Sequence, residues 1–176
     1  MTFKQFVRDT LCMGMGKLPQ EPHFHIVLFN PQIPNNTGNI GRTAMATRCR
    51  LHLIHPLAFD LSLKAVRRSG MDYWRDVDLK EHEHWNAFLE NERPPRLWLF
   101  TTKSAQSYWK GAYRKGDYFL FGSEQHGVPE EVHQWVRETQ GDHARLTLPM
   151  EPQARSLNLA TAVCTAVYEG LRQISL

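Results

Sequence analysis

Four loops rich in glycine, proline and small polar residues hold the groups of this sequence that can do chemistry. They are residues 30–38, 101–106, 122–128 and 149–155, and each follows an apolar segment. Because they contain few titratable groups, what they chiefly offer a ligand is backbone amides and carbonyls held by tight turns. Such loops suit a neutral or zwitterionic ligand with an adenine edge.

Two charged side chains accompany these loops. Arg42 lies six residues past Asn36, one helical turn into the segment that follows the first loop. Glu124 lies beside Gly122, directly after an apolar strand, where its carboxylate can position an amide or an arginine. The simpler interpretations are a solvated helix cation for Arg42 and a carboxylate favoured by a helix dipole for Glu124. The residues by themselves leave both interpretations open.

Metal chemistry has less support in the sequence. Two local histidine clusters occur, His52 with His55 and His82 with His84, but neither has an evident third ligand. The three cysteines are Cys12, Cys49 and Cys164. Since they form no Cys-x-x-Cys pair, neither a disulfide framework nor a thiolate zinc site is indicated, and free thiols are typical of a reducing cytoplasm. We therefore expect a cytoplasmic protein without a metal site.

Apolar segments alternate with helical patterns along the chain. Strands are predicted at residues 25–29, 51–55, 77–79, 97–101, 118–121 and 145–148. Helices are predicted at residues 39–48, 62–69, 84–90, 129–138 and 156–171. This alternation predicts an α/β fold, a mostly parallel sheet with helices on both faces. Ligands of such sheets bind beyond the carboxyl ends of the strands, where the four loops lie.

The last helix follows a loop stiffened by Pro149 and Pro152. Ser156 stands at its predicted start, with a side-chain oxygen able to accept from the first free amides. Apolar residues recur every four positions along one face, at Leu159, Val163, Val167 and Leu171. Several alanines keep the helix slim, so that another backbone can approach it closely.

Length and composition indicate one folded domain. The chain has 176 residues and a formal net charge of +3, which is compatible with a polyanionic partner without establishing one. No apolar run approaches the ~20 residues of a membrane span, so we expect no membrane association. Residues 1–20 are predicted to be an accessory segment and linker, and residues 21–176 the domain itself.

Three segments resemble, in order, the three motifs of the SpoU branch of the SPOUT RNA 2′-O-methyltransferases. They are Asn36-Thr-Gly-Asn-Ile-Gly-Arg42, Phe121-Gly-Ser-Glu-Gln-His-Gly-Val-Pro129, and Leu148-Pro-Met through Arg155-Ser-Leu-Asn-Leu-Ala-Thr-Ala-Val163. The similarity runs over about residues 23–173. Without an appended RNA-binding domain, the chain is most similar to the short TrmL-like (YibK-like) tRNA (cytidine/uridine-2′-O-)-methyltransferases.

The resemblance implies features that the pattern alone does not. General topology rules disfavour threaded chains, yet the family has a deep C-terminal trefoil knot that forms the cofactor site. The family implies S-adenosyl-L-methionine as cofactor, no metal, and tRNA as partner. It also implies a homodimer in which the helix at 156–171 supplies much of the interface.

The resemblance further implies roles for single residues. Arg42 would act at the reacting 2′-hydroxyl, electrostatically because a guanidinium does not give up its proton, and Asn36 would orient it. Glu124, Ser156 and Asn158 would hold the motif loops and the guanidinium in place. Cofactor contacts would come, largely through backbone, from Phe100, Thr101, Gly122, Leu148, Met150 and Ser156. Tyr168 matches a tyrosine of the TrmL-like members.

The resemblance also implies the substrate, which is the wobble nucleotide, a cytidine or uridine at position 34, of leucine tRNAs. Two groups of cations are available to hold it, one formed by Arg67, Arg68 and Arg75 and the other by Lys103, Lys110, Arg114 and Lys115. The second is interleaved with Tyr108, Trp109 and Tyr113, which can stack on unpaired bases. The simpler interpretation is a solvated surface over a few core aromatics.

Three alternatives remain at this stage. One is a catalytically idle RNA-binding protein on the same scaffold, and another is a 2′-O-methyltransferase acting elsewhere in tRNA or rRNA. The third is a nucleotide-dependent oxidoreductase, which is disfavoured because no Gly-x-Gly-x-x-Gly turn follows the first strand.

Overall fold

The computed structural model describes residues 21–60 and 72–175. Six strands form its sheet: β1 His25–Phe29, β2 Arg50–Ile54, β3 Leu79–His82, β4 Leu97–Phe100, β5 Tyr118–Phe121 and β6 Arg145–Leu146. The α-helices of the described ranges are α1 Pro34–Ala46, α2 Trp85–Glu92, α3 Glu130–Thr139 and α4 Leu159–Ile174. The predicted accessory segment at 1–20 and the predicted helix at 62–69 lie outside the described residues.

The strands follow the order β3-β2-β1-β5-β4-β6, and every neighbouring pair is parallel. All residues of β4 and β5 are buried. Strands of a parallel sheet are apolar throughout when helices cover both faces. The predicted α/β class with a mostly parallel sheet is confirmed.

Helices pack on each face of this sheet. On one face, the Phe88 ring of α2 makes edge contacts with the Tyr118 ring of β5, and Trp85 of α2 meets Trp135 of α3. On the other face, Gly170 of α4 lies so close to Phe24 and Phe119 that a β-carbon there would come within 2.8 Å of Phe24. Helix α4 therefore packs closely on these two rings at a glycine, and the approach of another backbone to its alanines stays a prediction.

Several predicted boundaries were wrong by a few residues. Helix α1 begins at Pro34 rather than at residue 39. Proline is tolerated in the first turn of a helix, because the backbone N–H that it lacks would have no partner within the helix there. Strand β3 covers 79–82 rather than 77–79. Strand β6 ends at Leu146, since Thr147 pairs with Ser107 in an isolated bridge beyond it.

Within the described ranges, we find no helix with the length and apolarity needed to cross a membrane.

Candidate cofactor and active site

A cavity of about 500 Å³ opens where β4 and β5 end. This volume lies within the range of small-molecule sites in proteins, and the position is the one expected for a ligand of a parallel sheet. All six residues predicted to contact a cofactor line it: Phe100, Thr101, Gly122, Leu148, Met150 and Ser156. Glu124 also lines it, so the structure brings the predicted loops together at one site.

A tight turn after β5 forms one side of the cavity. The backbone amides and carbonyls of Ser123 and Gly127 bond each other reciprocally, both at 3.0 Å. A β-carbon on Gly122 would lie 2.2 Å from the carbonyl carbon of Gly127, so the close approach of the two backbones requires glycine at position 122. The turn thus presents its backbone to the cavity in a fixed shape.

The loop after β4 also lines the cavity, and it bonds the segment that continues β6. Thr101 donates its amide to the carbonyl of Leu146 at 2.8 Å. Beyond it, Tyr108 donates to the carbonyl of Thr147 at 2.9 Å, and Thr147 donates to Gln106 at 2.8 Å. Strand β6 and its continuation therefore run between β4 on one side and the loop at 104–108 on the other.

The carboxylate of Glu124 is the hub of the adjoining polar site. One oxygen accepts from the backbone amide of Gln32 at 2.8 Å, and the other accepts from the amide of Ile33 at 3.2 Å and from the side chain of Asn36 at 3.0 Å. These three hydrogen bonds fix the position of the carboxylate and the conformation of the chain where α1 begins. The second motif is thereby tied to the first.

Asn36 and Asn158 extend this connection to the third motif. The buried Asn36 accepts from the side-chain amide of Asn158 at 2.9 Å. The oxygen of Asn158 in turn accepts from the amides of Ala160 and Thr161, at 2.9 and 3.3 Å, and caps α4. The prediction of Ser156 as the helix cap was wrong, because α4 starts only at Leu159 and Ser156 lies exposed in the loop that lines the cavity.

Arg42 projects from α1 as an exposed side chain. Its guanidinium carbon lies 4.7 Å from the centroid of the Tyr73 ring, a distance typical of cation–π contact, and the Tyr73 hydroxyl donates to the carbonyl of Gly38 at 2.9 Å. Close packing fixes the same turn, since a β-carbon on Gly41 would fall 2.6 Å from the Trp74 ring. The orientation of Arg42 by Asn36 stays a prediction.

His133 is a cavity residue that sequence reasoning missed. It lies on α3, is 1% exposed, and its Nδ1 has no hydrogen-bond partner within residues 21–60 and 72–175. Burial, with nearby Arg145 as a smaller cause, lowers the pKa of His133, so the ring is neutral and able to bond a ligand. The sequence feature that could have identified it is its position between Val132 and Val136, on the apolar face of an amphipathic helix.

The aromatic residues predicted to stack on bases divide into two kinds. Trp109 is 63% exposed, whereas Tyr113 is 5% exposed and donates its hydroxyl to the carbonyl of Tyr108. The prediction of Tyr113 as a base-stacking side chain was therefore wrong, because its ring belongs to the core. The cations at Lys103, Lys110, Arg114, Lys115 and Arg75 are exposed, and Arg67 and Arg68 lie outside the described residues.

Comparison with known proteins matches residues 23–168 to the SpoU rRNA Methylase family. A tRNA (cytidine(34)-2′-O)-methyltransferase of Saccharophagus degradans is 43% identical over 151 residues, which are 86% of this chain and 96% of the relative. The enzyme of the same name from Escherichia coli K12 is 41% identical over 150 residues, 85% of this chain and 93% of the relative.

Solved structures give the same picture. One from work on 2′-OH methylation of C/U34 on tRNA is 45% identical with a TM-score of 0.76, and the match covers 85% of this chain and 95% of that one. An rRNA methyltransferase from Sinorhizobium meliloti with bound AdoMet is 26% identical with a TM-score of 0.71, covering 88% of this chain and 57% of that one.

Proposed function

Because the chain belongs to the SpoU rRNA methylase family, we propose that it transfers a methyl group from S-adenosyl-L-methionine to the 2′-hydroxyl of nucleotide 34 in tRNA. Curated relatives over 40% identical carry that activity in their names. The structural observation that carries the proposal is the hydrogen-bonded chain from Glu124 through Asn36 to Asn158, which joins all three motifs beside the cavity. The nucleotide is cytidine or uridine, in leucine tRNAs.

The residues of the cavity fit the cofactor. The cavity offers backbone groups of the turn at 122–127, apolar contacts from Leu148 and Met150, and the ring of His133. An adenosine with an amino-acid chain needs this combination of a flat apolar contact and several hydrogen-bonding groups. When bound, the cofactor supplies an electrophilic methyl carbon on a positively charged sulfur.

The protein's own residues must then orient and activate the ribose. A 2′-hydroxyl becomes a good nucleophile as it loses its proton to solvent, so the site must stabilise negative charge on the oxygen. Arg42 is exposed for such contact, and its guanidinium supplies positive charge. We assign to it electrostatic stabilisation of the oxygen and of the adjacent phosphate, while Glu124, Asn36, Ser156 and Asn158 hold the loops on which alignment depends.

The family architecture adds a knot and a dimer to this proposal. The loop at 104–108 is hydrogen-bonded to Thr147, on the side of that residue that faces away from β4. This arrangement supports a knot in which the chain passes through the loop before α4 packs on Phe24 and Phe119. The exposed side of α4, which carries Thr161 and Tyr168, would then pack on a second copy. We place the protein in the cytoplasm, where its tRNA substrate occurs.

The test is methyl transfer from labelled S-adenosylmethionine to bulk tRNA without added metal, followed by mapping of 2′-O-methyl groups. We expect incorporation at position 34. Incorporation only in the acceptor arm or D-loop would contradict the nucleotide assignment and leave the methyltransferase assignment intact. Binding of tRNA without incorporation would favour the idle RNA-binding alternative.

A further inference from the structure

A row of three histidines crosses β1, β2 and β3 on one face of the sheet. Nδ1 of His25 lies 2.9 Å from Nε2 of His52, and Nδ1 of His52 lies 3.0 Å from Nε2 of His82. His25 is the first residue of β1, whereas the cofactor cavity lies at the carboxyl ends of β4 and β5. Since His25, His52 and His82 are not among the residues that line the cavity, the row is separate from the methyl-transfer site.

A buried carboxylate completes the cluster. Glu92 ends α2, its side chain is 6% exposed, and it accepts from the Tyr118 hydroxyl at 3.2 Å and from the Lys80 amine at 2.9 Å. One donor atom each from His25, His52 and Glu92 lies within 4.8 Å of the other two. Only the fold brings these groups together, since they are widely separated in the sequence.

The two histidines meet through ring nitrogens that share one hydrogen bond. An ion bound by both nitrogens would replace this hydrogen bond, and each ring would then carry its proton on its other nitrogen. At the end of the row, the buried Nδ1 of His82 has no hydrogen-bond partner among the residues that the structure describes.

We propose that His25, His52 and Glu92 bind one zinc ion, with water as the fourth ligand. Two imidazole nitrogens and one carboxylate oxygen form a donor set that zinc commonly takes. The second nitrogen of His52 faces His82, as the outer nitrogen of a ligating histidine usually faces a hydrogen-bond partner. Lys80, whose side chain is 45% exposed, leaves the carboxylate for solvent when the cation binds.

The test uses the full chain, purified without a histidine tag and freed of metal, and titrated with Zn²⁺ and then with Co²⁺. We expect one bound ion per chain and the visible absorption of tetrahedral Co²⁺. The His82→Asn variant alters an outer partner and should weaken binding by about tenfold. The ligand variants His25→Phe and Glu92→Gln should each weaken it by more than His82→Asn does.

Two controls make the outcome decisive. Phenylalanine at position 25 retains a ring that can stack on Tyr118, whose centroid lies 4.0 Å away, and unchanged S-adenosylhomocysteine affinity verifies the fold of each variant. The exposed pair His55 and Glu81, 2.8 Å apart, offers the same ligand types on the surface. A His55→Phe/Glu81→Gln variant should bind zinc normally. Absence of zinc binding by the unaltered chain, retention of full affinity by His25→Phe, or loss only in the surface variant would overturn the proposal.

Discussion

Single polar side chains carry most of the organisation of the candidate active site. Glu124 fixes the entry to α1 through two backbone amides, and Asn36 passes this constraint to Asn158. A buried carboxylate or amide that loses one partner leaves the other groups unsatisfied, which costs more than the bond itself contributes. Glu124, Asn36 and Asn158, one from each motif, therefore act as one unit. Arg42 is not part of this unit and lies on the surface.

We expect Arg42→Ala to lower turnover by roughly a hundredfold or more, the usual scale for losing one preorganised electrostatic group. Affinity for S-adenosylhomocysteine should be unchanged, because Arg42 lies over Tyr73 and not among the residues that line the cavity. Steady-state methyl transfer together with calorimetric titration measures both. Arg137→Ala, which removes a half-exposed arginine paired with Glu130 on α3, is the matched control. Near-full activity of Arg42→Ala would disprove the assigned role.

At the scale of elements, the sequence predicted the order of strands and helices well. The apolar runs of β1, β4 and β5 are strong because both faces of these strands are buried. Helix starts were predicted less well, since Asn158 and Ser156 are both good caps and only tertiary contact with Asn36 favours Asn158. The histidine row was missed for the same reason, because its members meet only across the folded sheet.

The stability of two variants tests whether Asn158 or Ser156 caps α4. Asn158→Ala should lower the free energy of unfolding by about 1 kcal/mol through the lost cap, and further through the lost bond to Asn36. Ser156→Ala should leave stability almost unchanged, because Ser156 is exposed and outside the helix. Chemical denaturation of the two variants provides the comparison. Equal stabilities would contradict the assignment of the cap to Asn158.

The turn after β5 gives a second prediction at this scale. A methyl group at position 122 would collide with the backbone of Gly127, so Gly122→Ala should displace the turn and abolish measurable S-adenosylhomocysteine binding. Gly116→Ala is the control, because a β-carbon there meets nothing within 4 Å although the residue has φ +85°. It should lose some stability and retain cofactor affinity. Normal cofactor binding by Gly122→Ala would show that the turn does not shape the site.

At the scale of the whole molecule, we expect an obligate homodimer built on α4. Obligate interfaces commonly bury more than about 2,000 Å², and the exposed side of α4 carries small side chains that permit close contact. Thr165→Arg places a bulky charge there and should produce monomers of 20.5 kDa in sedimentation. Gln134→Arg, on the exposed side of α3, should leave the assembly unchanged. An active monomer at sub-micromolar concentration would contradict the expectation.

The surface that holds the tRNA is the last prediction at this scale. Lys110 and Arg114 are exposed and follow Trp109 in the sequence. Trp109 is 63% exposed and therefore free to stack on an unpaired base. Lys110→Glu/Arg114→Glu should raise the apparent KM for tRNA and leave S-adenosylhomocysteine affinity unchanged. Since each lost phosphate contact reduces the salt dependence of binding by roughly 0.7–0.9 log units per decade, the slope for the double variant should be shallower.

A matched reversal separates a local contact from a general effect of net charge. Arg93→Glu/Arg137→Glu changes the formal charge by the same amount at exposed or half-exposed positions on α3 and after α2. If the surface around Trp109 binds the RNA, this control should retain most of its tRNA affinity, and Trp109→Ala should weaken binding without altering the salt slope, because stacking releases no counterions. Equal losses in both charge-reversal variants would instead mean that tRNA responds only to the overall charge of the protein.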